Sequence, residues 1–140
     1  MTLFPVVRLG GRMMEIHTVT IDCARPYELA EWWSTAIGWP IVDSAPEDDE
    51  ILLESPQGPP HVLFIKVPEG KTVKNRTHLD VANNDGRTRD EEVERLLKLG
   101  ATIHEDHRRP DGTGWVTLLD PEGNEFCVCR SEAERSGSFI

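Results

Sequence analysis

Apolar residues along the chain follow the same order of patterns twice. Residues 15–22 (EIHTVTID) alternate and are rich in β-branched side chains, which is typical of a strand. The next run (PYELAEWWSTAIG) has helical spacing, with Pro26 at its start and Gly38 as its stop. Three short strands are predicted after the helix, at residues 39–43, 50–54 and 61–67.

The second half of the chain repeats this order. Residues 77–82 (THLDVA) predict a strand, and residues 90–100 (DEEVERLLKLG) predict an amphipathic helix that begins with acidic residues and ends at a glycine. Three more strands are predicted at residues 101–107, 114–119 and 124–129, the last two joined by a tight DPEG turn. We therefore predict an α+β fold of two βαβββ modules, whose open sheet faces form a curved sheet with a cleft.

The repeat divides one domain into five parts. We predict an N-terminal extension at residues 1–14, a first module at 15–67, a polar linker at 68–75, a second module at 76–130 and a C-terminal tail at 131–140. A chain of 140 residues is long enough for a single hydrophobic core.

Composition and charge narrow the functional classes. A net charge of −10 argues against nucleic-acid binding, which needs a basic surface. No apolar run approaches the roughly 20 residues that cross a bilayer, and the first residues lack the pattern of a signal peptide. Three cysteines without an export signal indicate free thiols, so we expect a cytoplasmic protein.

Several segments carry a family resemblance: DCARPYELAEWWSTAIGW, VPEGKTVKNRTHLDV, LLKLGA and LLDPEGNEFCV. With them the chain resembles the vicinal oxygen chelate superfamily, and within it the glyoxalase-like and bleomycin-resistance proteins. The resemblance covers nearly all of residues 15–130. It implies paired βαβββ modules and, in the enzymes, a divalent metal held by His and Glu from the first and last strands of each module.

The resemblance places two donors and two gaps in this sequence. The first-strand ligand of the second module maps onto His78, and the last-strand glutamate maps onto Cys127. The equivalent last-strand position of the first module is Ile65, which cannot ligate a metal. The remaining position maps onto Thr18, although His17 is one residue away. We therefore expect no tightly bound metal. If one is present, its ligands would be His17, His78 and Cys127, with a further donor such as Asp80.

Strand alternation indicates which side chains face the cleft. Apolar residues belong under the helix, so Thr18, Thr20 and Asp22 should share the open face with His78 and Asp80. His17 would then be a packed or strand-end histidine unless a bulge turns it inward.

Aromatic residues offer a wall for this cleft. Trp115, Thr117 and Leu119 alternate along one strand and should line the open face. Trp115 is either a platform for a planar or cationic ligand or the seal of an interface. Of the neighbouring Trp32 and Trp33, one should be core and the other should reach the cleft or a partner.

Other polar residues on strands and loops receive simpler interpretations. Glu54 and Glu125 are interpreted as exposed strand residues in preference to general bases. The stretch HEDHRRPDG, which contains His104 and His107, is interpreted as solvated surface.

The functional prediction is a glyoxalase-like cleft protein that binds a small organic molecule without a tightly held metal. The predicted ligand-binding residues are Thr18, Thr20, Asp22, Ile65, Trp115, Thr117 and Cys127. The alternative is a divergent metal-dependent lyase, isomerase or dioxygenase, and His78 and Asp80 are the predicted acid–base residues of any enzyme. A third hypothesis is a module that acts mainly through protein partners. The resemblance separately implies a homodimer.

Overall fold

The computed structural model describes residues 13–135 and contains two βαβββ modules. Almost all of the predicted N-terminal extension and half of the C-terminal tail lie outside these residues. The first module consists of β1 (Thr18–Cys23), α1 (Pro26–Ile37), β2 (Ile41–Val42), β3 (Glu50–Leu53) and β4 (His61–Lys66). The second consists of β5 (Leu79–Val81), α2 (Arg89–Lys98), β6 (Thr102–Asp106), β7 (Val116–Leu119) and β8 (Glu125–Val128). A short helix, α3 (Glu132–Arg135), follows in the predicted tail.

Each module forms its own four-stranded mixed sheet. The strand order is β1-β4-β3-β2 in the first sheet and β5-β8-β7-β6 in the second. In both sheets the first strand runs parallel to the last, and the other neighbours are antiparallel. The predicted α+β fold of two repeated modules is therefore confirmed.

Local sequence signals set the ends of both long helices. Pro26 occupies the first turn of α1, and Gly38 ends it in the left-handed region at φ 78°. Helix α2 begins with a capping box, in which the Thr88 hydroxyl accepts from the Glu91 N–H and the Glu91 carboxylate accepts from the Thr88 N–H. Both helices can therefore be predicted from sequence to within two residues. Between residues 13 and 135, no helix has the length and apolarity needed to cross a membrane.

The tryptophans of α1 connect the two modules. Trp33 is 3% exposed, and its ring packs edge-on against Phe126 of β8 at 4.8 Å between centroids. Trp32 is half-buried, contacts the same phenylalanine, and donates its indole N–H to the Leu99 carbonyl. Trp33 is thus the core residue of the pair, whereas Trp32 packs against the second module.

The turn between β7 and β8 caps α1 from the other module. The Glu122 carboxylate accepts hydrogen bonds from the backbone N–H groups of Ala24 and Arg25, at 2.7 and 3.0 Å. These N–H groups belong to the N-cap residue Arg25 and to the residue before it, and the Arg25 side chain forms no capping hydrogen bond of its own. The β7–β8 turn of the second module is therefore attached directly to the start of α1.

Candidate functional site

The open face of the second sheet carries a cavity of about 350 Å³, called here the second-sheet cavity. Its walls combine two histidines, three carboxylates, two thiols, one lysine, one threonine and one tryptophan. The lining residues are Lys74, His78, Asp80, Glu105, His107, Trp115, Thr117, Glu125, Cys127 and Cys129. The volume lies within the usual range for small-molecule sites, about 300 to 1,000 Å³.

Strand register arranges these side chains in two rows across the sheet. In the first row, Asp80 pairs with Cys127, Cys127 with Thr117, and Thr117 with Glu105. Side chains on paired residues of neighbouring strands share a face, so all four project into the cavity.

The second row lies two residues away on each strand. The His107 N–H donates to the Trp115 carbonyl at 2.9 Å, and continuing the β7–β8 register by one pair places Trp115 opposite Cys129. The alternation in sequence is therefore what places these groups together.

His78, Asp80 and Cys127 converge on one point of the second-sheet cavity. The His78 Nδ1 atom lies 3.1 Å from Asp80 Oδ1 and 3.9 Å from Cys127 Sγ. One ligand atom from each of the three residues lies within 4.8 Å of the others. Histidine and aspartate are exposed, whereas the cysteine is 6% exposed at the base of the cavity. The imidazole is therefore in a position to exchange a proton with the carboxylate or with a bound molecule.

Burial keeps the cysteines of this sheet protonated. Desolvation raises the pKa of the Cys127 thiol, although the thiol also contacts the Thr117 hydroxyl at 3.4 Å. Desolvation, followed by the negative charge of Asp80, raises the pKa of Cys129 to about 11. A thiol with a raised pKa is a poor nucleophile at neutral pH, so the cavity has the character of a binding surface rather than of a thiol-nucleophile site.

Trp115 forms a side wall of the cavity, but its ring is already engaged within the chain. The His107 ring stacks on it at 4.7 Å between centroids and 25° between planes. The guanidinium carbon of Arg109 lies 5.6 Å from the centre of the same ring. The sequence interpretation of the stretch HEDHRRPDG as solvated surface agrees with the exposure of His104. It does not describe His107, which lines the wall of the cavity.

Glu125 is a buried anchor of the linker and not an exposed strand residue, which corrects the sequence interpretation. It is 7% exposed and accepts hydrogen bonds from Lys71 Nζ and the Asn75 N–H, both at 3.0 Å. Burial favours its neutral form, but these donors outweigh that effect and hold the pKa of the carboxyl below its usual value. The same contacts bring Lys74 of the linker to the cavity rim.

The first module contributes to a neighbouring cavity of about 380 Å³ between the edges of β1 and β5. Thr20 and Asp22 line it together with His78, which thus borders both cavities. Thr18 and Ile65 line neither of the two. Leu119 ends β7 half-buried, outside the second-sheet cavity. Of the predicted ligand-binding residues, Trp115, Thr117 and Cys127 are brought together around His78 and Asp80.

His17 lies away from the predicted metal ligands. Its Nδ1 atom is 2.6 Å from the Thr18 hydroxyl, and its ring meets that of His61 edge-on at 5.6 Å. The cluster at His78 and Cys127 includes Asp80 in its place. The structure therefore brings together His78 and Cys127, two of the three residues proposed for a metal. His17 is a strand-end histidine, directly before β1.

Five residues that line the second-sheet cavity are absent from the predicted site: Lys74, Glu105, His107, Glu125 and Cys129. Alternation from Thr117 through the β6–β7 pairing would have placed Glu105 on the open face. Alternation places Cys129 on the same face as Cys127, although the predicted site includes Cys127 alone. No local signal marks Lys74, because tertiary contacts of the linker position it.

Comparisons with known proteins agree on one family. The family described as the glyoxalase-like domain matches residues 18–129. Comparison with curated protein sequences finds no match.

Solved structures show the same fold at low sequence identity. A glyoxalase/bleomycin resistance protein/dioxygenase family enzyme from Burkholderia phytofirmans is 17% identical, with a TM-score of 0.62 over 82% of this chain and 97% of that one. A fosfomycin resistance protein from Listeria monocytogenes, in complex with Mn(II) and a phosphonic acid, is 14% identical, with a TM-score of 0.62 over 89% and 94%. A lactoylglutathione lyase from Agrobacterium tumefaciens is 16% identical, with a TM-score of 0.60 over 87% and 96%.

Proposed function

The chain belongs to the glyoxalase-like domain family of the vicinal oxygen chelate superfamily, and from that premise we propose that it binds a small organic molecule in the second-sheet cavity. One observation carries the proposal: a cavity of about 350 Å³ is lined by the Trp115 ring and by the converging side chains of His78, Asp80 and Cys127. Small-molecule sites combine such apolar surface with a few placed polar groups.

The charges of the cavity favour a ligand that carries hydrogen-bond donors or positive charge. Asp80 and Glu105 are exposed carboxylates on its walls, and Lys74 is its ammonium group. Trp115 supplies apolar area, since His107 and Arg109 hold its ring without burying it completely. The chain's net charge of −10 acts in the same direction by attracting cations.

The metal centre typical of the superfamily does not fit the residues present. Two of its four positions hold Thr18 and Ile65, and the isoleucine offers no donor atom. A third position is Cys127, where a thiol replaces the glutamate that the enzymes of the superfamily use. The proposed binding therefore does not depend on that centre.

A second candidate function is a divergent metal-dependent lyase, isomerase or dioxygenase. It is favoured by the three donor atoms of His78, Asp80 and Cys127 within 4.8 Å of one another. Imidazole, carboxylate and thiolate are all zinc ligands, and three protein ligands leave a position open for substrate. We rank it second because all three donors come from one module.

Thermal-shift screening of planar amines, quaternary ammonium compounds and matched neutral aromatics tests the first proposal. A compound that raises the melting temperature of the wild type should lose this effect in His78→Ala and keep it in His104→Ala. His104 is an exposed histidine outside the cavity and is the matched control. A shift that survives in His78→Ala would place binding elsewhere and contradict the proposal.

Elemental analysis separates the two candidates. Protein incubated with zinc, nickel, manganese or ferrous iron and then desalted should retain no stoichiometric metal under the first proposal. Near-stoichiometric metal that disappears in His78→Ala would favour the second. In that case His78→Ala should abolish turnover with folding intact, whereas a sequestering protein would lose affinity alone.

A further inference from the structure

Arg89 is buried outside the second-sheet cavity, yet it holds the loop that precedes Trp115. The residue is 5% exposed at the start of α2. Its Nη1 atom lies 3.1, 3.2 and 2.9 Å from the carbonyl oxygens of Gly112, Thr113 and Gly114. Three acceptors on one cationic nitrogen form a strong, charge-assisted contact with this loop.

The position of Arg89 is itself fixed from two sides. Its Nε atom donates to Asp90 at 3.0 Å, and its backbone N–H donates to the Glu134 carboxylate at 2.8 Å. A planar guanidinium held in this way presents its donors in one direction, which a flexible ammonium does not. The α2 end is thus a rigid support for the loop.

The supported loop is closed tightly beside the cavity wall. Gly114 has a φ of 96°, and a Cβ there would overlap the His107 carbonyl oxygen. Trp115 follows directly, and His107 and Arg109 from the other side of the loop lie against its ring. A displacement of the loop would therefore move the tryptophan and its stacked histidine together.

Trp115 and His107 stand beside Cys129, whose row borders that of Cys127. We propose that Arg89 is a positioning residue, which holds the Trp115–His107 wall in place and thereby limits access to the thiol side of the second-sheet cavity. The inference deepens the proposed function, because the wall shapes the site in which a small molecule binds. Arg89 itself lines neither cavity described above.

Alkylation with iodoacetamide, followed by peptide mapping, tests this inference with no ligand present. In Arg89→Gln the loop loses its cationic donor, and we expect the rates at Cys127 and Cys129 to rise about tenfold or more. Cys23 is buried in the first module and should keep its wild-type rate, so it reports on global unfolding within the same molecule. Arg89→Lys keeps the positive charge but lacks the planar guanidinium and its fixed donors. It should therefore give an intermediate rise in the alkylation rates of Cys127 and Cys129.

A matched control lies just before the same helix. Arg87 forms ion pairs with Asp85 and Glu92, and it does not line the second-sheet cavity. Arg87→Gln should therefore leave the Cys127 and Cys129 rates unchanged.

Two outcomes would overturn the inference. One is an unchanged rate at both cavity thiols in Arg89→Gln and Arg89→Lys. The other is an alkylation rate of Cys23 that rises as much as those of Cys127 and Cys129 in the milder variant Arg89→Lys. An equal rise would indicate a loss of global stability and not a movement of the wall. If the proposed small-molecule binding failed instead, the selective rise at Cys127 and Cys129 would still be observed, so the two failures can be told apart.

Discussion

The indole N–H of Trp33 donates to the carboxylate of Asp120 at 3.0 Å, joining the first module's helix to the second module's β7–β8 turn. Both partners are buried, at 3% and 4% exposure. Asp120 also accepts from the Asn124 side chain and from the backbone of the turn, so its charge has several donors. The contact ties the relative placement of the modules to the turn that leads into β8.

Removing the indole donor should weaken the junction measurably. Trp33→Phe removes one hydrogen-bond donor from the buried Asp120 carboxylate and replaces the indole by a smaller ring. It should lower the free energy of unfolding by about 2 to 3 kcal/mol. Trp32→Phe loses a bond to the neutral Leu99 carbonyl at a half-buried site, so a smaller loss is expected. Urea unfolding compares the two; a larger loss in Trp32→Phe would contradict the assigned role of Asp120.

Glu122 should stabilise α1 across the module boundary. Glu122→Gln keeps the shape but removes the charge that accepts two N–H groups before the helix, and should cost about 0.5 to 2 kcal/mol. Glu28→Gln is the control, since Glu28 is an exposed acidic residue in the first turn of the same helix. Equal unfolding free energies for the two variants would show that Glu122 does not cap α1.

Glu125 should make stability depend on pH in the acidic range. Its pKa in the folded protein is held below the unfolded value of about 4.3. The ionised carboxylate therefore stabilises the fold above that value, and the stabilisation is lost as the pH falls through the folded pKa. Urea unfolding at a series of pH values should show the wild type losing its advantage over Glu125→Gln on acidification.

The result for Glu125 has a clear control and a clear contradiction. Glu54→Gln removes an exposed carboxylate at the end of β3 and should leave the pH dependence unchanged. A constant difference between wild type and Glu125→Gln across the acidic range would mean that Glu125 is not held ionised by Lys71 and Asn75.

The three thiols should react slowly at mildly alkaline pH. Burial raises the pKa of Cys23 to about 12 and that of Cys129 to about 11, so little thiolate is present near neutrality. Alkylation of Cys129 near pH 8 should be roughly a hundredfold slower than that of free cysteine. Mass spectrometry after timed iodoacetamide treatment measures this, and Cys129 should be modified before Cys23. Rapid modification of Cys23 would contradict its burial.

Much of the site follows from alternation, which is a local property. His78, Asp80, Thr117 and Cys127 share a face because side chains alternate along strands, and the repeat indicates which strands are neighbours. The helix ends follow from Pro26, Gly38 and the Thr88 capping box for the same reason. Such signals can be read without knowledge of distant contacts.

The features that sequence reasoning missed depend on residues far apart in the chain. Glu125 reads as an ordinary polar strand residue, and its burial results from Asn75, which lies 50 positions earlier. His107 reads as surface until the hairpin places it against Trp115. The two gaps left by Ile65 and Thr18 are visible in the sequence, as is the shared face of His78 and Asp80, whereas the distances between their ligand atoms depend on side-chain geometry.

The capping of α1 by Glu122 has a consequence for biosynthesis. The helix begins at residue 26, but its cap and the Asp120 partner of Trp33 are synthesised almost a hundred positions later. While the chain emerges from the ribosome, the first module is exposed with its helix start uncapped and its tryptophans uncovered. Completion of that module must therefore await synthesis of the β7–β8 hairpin, which carries both Glu122 and Asp120.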